Sequence, residues 1–570
     1  MTVDLTAAPF SLDPDGVAWV QDTLGNLSLE AKVGQLFIAH GELDDDSVDL
    51  VARLKLGGVR LAAGPARTVR NTVDRLKAAL SIPPLIAANL ESGGDGASSD
   101  GTAVAAPLQC VATSDVDSAR LLGEICAREG TAVGCNWAFS PVADIHFNWR
   151  NAVASTRSFG ADAETVLAYS RAFLEGAGQG ADFGRLALTA KHFPGDGVDD
   201  RDQHVVTSVN TQTPAQWRAS FGKVYAGLIA DGIATIMVGH IALPALTREL
   251  AGEDAPILPA TLAPELLTGL LRGELGFNGV TVTDATHMVG FTSQGERSAL
   301  LVDTVNAGCD MILFLRDPDA DIAAIRDAVA EGRISLERLD EAVERVLALK
   351  ASLELHCEPA LDAAQLERQL AVVGAAAHTA IAADLAGRSA TLVMDKGILP
   401  LSPATHPRLR LVPNYGYPGD PARMPLTVMM REALEEEGFI VSLPAAMARV
   451  SSIAEYIRVM NEGNLAVEGE FDAAVVIAQY PGIGGQAVQR LQWENAMGPH
   501  VPWWAGRVPT TFVSFGLPNH LSDVPMVGAY VNAYVASQQT VTATVDRLRG
   551  RAAFTGTANE NALCGLTTIL

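Results

Sequence analysis

Residues 187–206 read ALTAKHFPGDGVDDRDQHVV, and the fold turns on them. An apolar run ends at Lys191-His192, breaks at Phe193-Pro194-Gly195, and opens into a loop carrying Asp196, Asp199, Asp200, Asp202 and His204. A buried strand that empties into a loop of ionisable groups is where α/β proteins place their chemistry. Asp202 and His204 are two apart, so an extended segment points both side chains the same way. A carboxylate beside an imidazole fixes the ring tautomer and raises its basicity, which makes a general acid/base. The plainer alternative, a strand end with a solvated acidic loop, accounts for the carboxylates but not for Lys191, His192 and His204 among them.

Outward from this stretch, apolar β-like runs alternate with amphipathic segments. The predicted strands are Val33–Ala39, Gly58–Ala63, Leu85–Leu90, Asn136–Val142, Ala187–Lys191, Ala234–His240, Gly279–Thr283 and Asp310–Leu315. Between them lie predicted helices such as Ala66–Ala79, Ser114–Val133, Ala163–Gly178, Pro214–Asp231 and Pro264–Leu275. Near-continuous apolar strands indicate a parallel sheet covered by helices. Eight such units match a (β/α)8 barrel, with a doubly wound open sheet as the alternative. Polar residues close several of these strands: Asn89 and Glu91, Asp144, Lys191 and His192, His240, and Asp284. A barrel gathers them around one mouth, whereas an open sheet spreads them along an edge. The expected architecture is therefore α/β: an N-terminal TIM-like barrel with closing helices over residues 1–375, then a smaller C-terminal α/β sandwich over 376–570. In the second part, strands are expected at Ala390–Asp395, Pro407–Pro413, Phe439–Leu443, Ala473–Ala478 and Thr510–Phe515. Helices are expected around Leu426–Glu437, Met447–Asn461 and Ser537–Arg549.

With 570 residues, two or three domains are expected. Hydrophobic residues make up 48% and charged ones 19%, enough for sizeable cores and too little charge for disorder. The net charge of −25 argues against nucleic acid or an anionic membrane surface as partner. Cys110, Cys126, Cys135, Cys309, Cys357 and Cys564 are scattered without a C-x-x-C pair, so free buried thiols are expected rather than a disulfide framework or a zinc site. The opening MTVDLTAAPFSLDPDG has no basic region and no long apolar core, and no apolar run approaches a membrane span. A cytoplasmic protein is expected.

KHFPG followed by D-x-H resembles the KHFPGHG…D-S-H signature of family-3 glycoside hydrolases, in the β-N-acetylglucosaminidase branch. Further along, Phe277–Met288, FNGVTVTDATHM, is similar to the family's F-x-G-V-…-S-D-D-L-S-M run, and STRSFGADAETV to its R-S-F-G-x-D-P. GRSATLVMDKGILPLSP, from Gly387, resembles the opening of the family's C-terminal domain. The resemblance implies a retaining exo-β-N-acetylglucosaminidase that needs no cofactor or metal. It assigns Asp284 as the nucleophile that forms a covalent glycosyl–enzyme intermediate, and His204 with Asp202 as the acid/base pair. Arg157, Lys191 and His192 are implied as sugar-binding residues; the rival reading of Arg157 is a surface ion pair with Asp162 or Glu164. The implied substrate is a β-linked amino-sugar oligosaccharide or cell-wall fragment. An imidazole base does not repel an anion as a carboxylate would, so phosphate is an alternative acceptor and a phosphorylase the alternative function. His240 reads equally as a satisfied barrel histidine or a site residue, and His287 as a pocket-lining neighbour of Asp284.

Two positions depart from the family pattern. The usual D-x-E-G-G-x-V-x-R appears as Asn89-Leu90-Glu91-Ser92-Gly93-Gly94-Asp95-Gly96, with Asn89 at the Asp position and no trailing Arg. Asn89 and Glu91 are still expected to line the sugar site. Asp196 replaces the second His of KHFPGHG, adding a negative charge near the loop that works mildly against phosphate. Two other classes compete. A metal-dependent barrel hydrolase would want H-x-H on the first strand, which offers only His40. A non-catalytic sugar-binding protein would have lost the nucleophile or proton donor, and both are present.

Overall fold

The computed structural model of the chain describes residues 3–357, 361–416, 420–444, 452–454, 457, 469–480, 485, 490–493 and 501–558. Its residues cluster into two compact units. The first comprises Met1–Val104, Ala119–His378 and Gly484–Ala487; the second comprises Ala105–Ser118, Thr379–Ile483 and Val488–Leu570.

The first unit is a closed barrel of eight parallel strands. These are β1 Phe37–Gly41, β2 Gly58–Leu61, β3 Leu85–Ala88, β4 Trp137–Ala138, β5 Ala187–Phe193, β6 Thr235–Val238, β7 Val280–Ala285 and β8 Met311–Leu313. They neighbour one another in sequence order and β8 closes onto β1. β3 and β6 are buried along their whole length, as strands with apolar cover on both faces must be. Inside, the Trp137 indole N–H reaches the hydroxyls of Thr189 and Thr235 at 2.9 and 3.0 Å, so the polar atoms placed there by β-branched residues are paired. At the amino-terminal end of β8, buried Asp310 accepts from Arg272 at 2.6 Å and Arg338 at 2.9 Å, and from the Thr281 amide at 2.9 Å.

Helix placement follows the predicted periodicity, with differences at boundaries. Ala66–Ala79 is helical over the predicted span. The predicted strand at Val33 begins only at Phe37, because the helix capped by the Ser28 hydroxyl runs through Gln35. The stretch Pro214–Asp231 is two helices broken at Ser220, and Glu265–Glu274 winds as a π-helix. β4 is shorter than expected, since Ser140-Pro141 follows one residue beyond its end.

The second unit is built on a six-stranded mixed sheet: β9 Thr391–Asp395, β10 Arg408–Tyr415, β11 Ile440–Ser442, β12 Ala473–Gln479, β13 Thr510–Ser514 and β14 Ala529–Asn532. Its order is β9-β14-β13-β12-β10-β11, with only the β9–β14 pair antiparallel. Alternation along β12 supplies two cores: Ala473, Val475 and Ile477 enter one, while Ala474, Val476 and Ala478 enter the other. Helix residues from Pro425–Glu436 and Gln538–Leu548 fill the first of these cores. β14 was not anticipated, and the helix expected at Met447–Asn461 lies almost wholly outside the described residues.

The expected division after residue 375 assigns residues 105–118 to the barrel, but they fold with the second unit. Their helix, Pro107–Ala112, packs Leu108 and Ala112 against Tyr534, and Gln109 donates to Ser389 at 3.1 Å. Apolar contacts with late-sequence residues decide where this early segment belongs. Among the described residues no helix is long and apolar enough to cross a membrane. Cys110, Cys126, Cys135 and Cys309 are buried free thiols and Cys357 is an exposed one; Cys564 lies outside the described residues.

Candidate active site

The carboxyl ends of β3, β4, β5, β6 and β7 bring the predicted site residues to one mouth. β5 contributes most. Lys191 and His192 are consecutive yet both are buried at the mouth, and the register with β6 shifts between Ala190 and Phe193. Lys191 Nζ lies 2.5 Å from Glu91 Oε1. From the loop after β4, Arg157 donates through Nε and Nη2 to the two oxygens of Glu91, both at 2.9 Å. That bidentate pair replaces the surface ion pair considered from sequence; Asp162 instead caps the helix Ala163–Gly180 by accepting from Thr165. Burial alone would raise the Glu91 carboxyl, but Arg157 and Lys191 outweigh it and hold Glu91 well below the usual range. Burial lowers Lys191 in turn, opposed by Glu91. Asn89 is exposed just past the end of β3.

His192 is oriented by Asp144, a residue visible in the sequence as a strand-end carboxylate but not assigned to the site. His192 Nδ1 donates to Asp144 Oδ2 at 2.7 Å, and the His192 and Asp196 amides donate to Oδ1 at 3.0 and 2.7 Å. A carboxylate only accepts, so Nδ1 carries the proton and Nε2 is turned toward Asp284, 3.8 Å from Oδ2. Asp284 stands near the end of β7, where its Oδ1 accepts the Ala285 amide at 2.7 Å. Burial pushes its carboxyl up, but the imidazoles of His192, His240 and His204 prevail and hold it below its ordinary value.

Past Pro194 the chain turns at Gly197, whose φ of 102° suits glycine and whose Cβ, if present, would stand 2.0 Å from the Ile145 carbonyl. The acidic loop then divides its labour. Asp199 accepts from the Val209 amide at 2.7 Å and from Arg201, and Asp200 accepts from Asn148, so these two brace the loop. Ser208–Val209 pairs with Ile241–Ala242, tying the loop after β5 to the loop after β6. Asp202 Oδ1 accepts both His204 Nδ1–H at 2.7 Å and the His204 amide at 2.8 Å. The amide of Gly485, which clusters with the barrel unit, donates to Oδ2. Burial lowers His204, but the bond to Asp202, its charge and that of Asp284 carry the net shift upward. With Nδ1 held by Asp202, Nε2 is the nitrogen left for a substrate. The Val289 amide, from the segment after Asp284, donates to the His204 carbonyl at 3.0 Å, and the imidazole and the carboxylate are near enough for each to shift the other's protonation.

Asp196 is enclosed rather than solvated. It is 2% exposed, and burial with the Asp144 carboxylate beside it pushes it up to about 7. Its Oδ1 accepts from Asn151 at 2.7 Å. His240 is a satisfied barrel histidine: Nε2 donates to the Ala285 carbonyl at 3.1 Å, Nδ1 lies 3.1 Å from the Thr261 hydroxyl, and burial lowers the ring to about 4. His287 is exposed, tilted against Phe314 with centroids 6.4 Å apart. Among the described residues no group of three or more His, Cys, Asp or Glu side chains is placed to hold a metal ion. The arrangement can deliver a carboxylate nucleophile, a proton from an imidazole, and cationic donors to sugar hydroxyls.

Residues 28–349 match the model of the glycosyl hydrolase family 3 N-terminal domain. Over 572 residues, 99% of each chain, the sequence is 41% identical to a beta-N-acetylglucosaminidase/beta-glucosidase of Cellulomonas fimi. It is 30% identical over 294 residues to beta-hexosaminidase A of Pseudoalteromonas piscicida, covering 48% of this chain and 46% of that one. Among solved structures, a beta-glucoside phosphorylase bound to 2FGlc superposes with a TM-score of 0.90 at 36% identity, covering 99% of both chains. A family 3 beta-N-acetylglucosaminidase from Paenibacillus sp. str. FPU-7 gives a TM-score of 0.77 at 26% identity, covering 93% of this chain and 98% of that one.

Proposed function

The chain belongs to glycosyl hydrolase family 3, whose members act on O-glycosyl bonds, and on that premise we propose that it is a retaining exo-β-N-acetylglucosaminidase. In the first step Asp284 attacks the anomeric carbon. The C1–O bond to the aglycone breaks, its electron pair stays on the leaving oxygen, and that oxygen takes the proton from His204 Nε2. In the second step neutral His204 takes a proton from water while the water oxygen bonds to C1 and the bond to Asp284 breaks. Two inversions give net retention. Asp202 holds the imidazole and stabilises its charged form. Lys191, His192 and Arg157, with Glu91 fixing two of them, receive the sugar hydroxyls. The observation carrying this reading is the bonded pair at 2.7 Å that leaves His204 Nε2 free at the same mouth as Asp284.

The substrate is a terminal β-N-acetylglucosaminide of an oligosaccharide or cell-wall fragment, a reading supported by the names of the relatives rather than by a residue that reads the acetamido group. Phosphorolysis is the second reading. It is favoured by the imidazole acid/base, which does not repel an anionic acceptor, and by the phosphorylase neighbour that spans the whole chain. Turnover of aryl β-N-acetylglucosaminide and aryl β-glucoside, with and without phosphate, separates the two. Free sugar released first as the β-anomer supports hydrolysis; sugar 1-phosphate formed in proportion to phosphate supports the alternative. Full turnover by Asp284→Ala would sink both.

A further inference from the structure

Gln203 lies between Asp202 and His204 and is fully buried. Its Oε1 accepts the His240 amide at 2.7 Å, its Nε2 approaches Asp196 Oδ2 at 3.4 Å, and its carbonyl accepts the Gly290 amide at 3.1 Å. One residue thus joins the loop after β5 to the ends of β6 and β7. The path continues to the nucleophile: His240 Nε2 donates to the Ala285 carbonyl at 3.1 Å, and the Ala285 amide donates to Asp284 Oδ1 at 2.7 Å. The approach is close enough to demand glycine at 290 and to crowd a side chain at 239. A Cβ at Gly290 would lie 2.6 Å from the Gln203 carbonyl, and one at Gly239 would lie 3.0 Å from its Oε1.

We propose that Gln203 is a positioning residue that sets the separation between His204 and Asp284. The inference rests on the reading of His204 as proton donor. A side chain that merely filled space would not need a hydrogen-bond partner at each end of its carboxamide, and a shorter or apolar one would leave the buried His240 amide unpaired. Proton transfer to a leaving oxygen tolerates little displacement; a misplacement of about 1 Å costs about 100-fold. Activated aryl leaving groups depart without help, so on them kcat/KM, which reads the first step alone, is insensitive to where His204 stands.

The test uses the full-length chain and a series of aryl β-N-acetylglucosaminides running from strongly to weakly acidic phenols. Gln203→Met keeps length and removes both side-chain hydrogen bonds. Its kcat/KM is expected to fall about 10- to 100-fold on the weakly acidic phenols and less than about 3-fold on the strongly acidic ones. In a His204→Ala background the same substitution should add less than about 2-fold, because the group it positions is gone. Gly290→Ala, pressing on the Gln203 carbonyl from the opposite side, should reproduce the leaving-group dependence, and serves if Gln203→Met fails to fold as judged by its melting curve. An equal loss across the series, or a loss that persists in full without His204, overturns the proposal. If His204→Ala itself shows no leaving-group dependence, the acid/base reading falls, and this inference with it. A His204 effect without a Gln203 effect overturns this inference alone.

Discussion

Replacing Asp202 by Asn isolates what the carboxylate contributes to the acid/base imidazole. Asn keeps an oxygen at Oδ1 to accept Nδ1–H and the His204 amide, bonds that measure 2.7 and 2.8 Å, but it loses the charge. A hydrogen bond to a charged group exceeds a neutral one by about 1 kcal/mol. One pH unit corresponds to about 1.4 kcal/mol, which gives about 0.7 unit. The His204 side chain is 38% exposed, so solvent screening reduces the expected change to about half a unit. The sign follows from the direction of the native shift. His204 is raised above its ordinary value, burial being outweighed by Asp202 and Asp284, so the protonated donor is present at low pH and lost as pH rises through that raised value. In kcat/KM against pH, the basic limb of Asp202→Asn should therefore move to lower pH by about half a unit, while the acid limb, set by Asp284, holds its place. Initial rates on an aryl β-N-acetylglucosaminide between about pH 3 and 9 read both limbs. A basic limb that stays where it was, or moves to higher pH, refutes the assignment of that limb to the Asp202–His204 pair.

Further expectations concern the proposed donor, the sugar cluster and the barrel floor. His204→Ala should lower kcat/KM at least about 100-fold on weakly acidic leaving groups while sparing it on activated aryl ones, since general-acid assistance is worth about 10²–10⁴-fold only where it is needed; equal losses in kcat/KM would count against a proton donor. Arg157→Ala removes both donors at 2.9 Å from Glu91 and should raise KM while lowering stability by about 2–3 kcal/mol, less than for a fully buried pair because the partners are 22% and 12% exposed. Sugar-titration affinity and a urea melt read the two effects separately. Asp310→Ala strips the buried Arg272 and the partly buried Arg338 of their shared partner and should cost about 3–5 kcal/mol in the same melt, with kcat of the folded fraction unchanged.

The barrel was legible because strand burial and helix periodicity both leave strong marks. β3 and β6 are continuous apolar runs and Ala66–Ala79 is strictly amphipathic, so their placement followed from single-residue character. Boundaries shifted where a local device outweighed hydropathy, as when the Ser28 cap drew Leu29–Gln35 into a helix. The site divided in the same way. Asp202 and His204 are two residues apart and their bond could be read from spacing, whereas Arg157 and Glu91 are 66 residues apart and nothing in either segment specifies the other. Asp144 and Gln203 went unassigned for a related reason. Their work is to orient other side chains through backbone amides, and no sequence pattern records which amide a buried carboxylate or carboxamide will meet. Asp196 looked like added charge because sequence carries no burial; enclosure beside Asp144 changes its protonation instead.

The segment 105–118 also governs how the chain can be divided. A single cut after residue 375 would strand its short helix: Leu108 and Ala112 would lose the ring of Tyr534, Gln109 would lose Ser389, and Asp115 would lose Arg388. The amino-terminal fragment would then expose apolar side chains to water within its first third, with no shortening of its end able to hide them. Expressing the barrel alone therefore requires replacing that excursion with a polar turn, and expressing the remainder alone requires supplying it as a separate peptide.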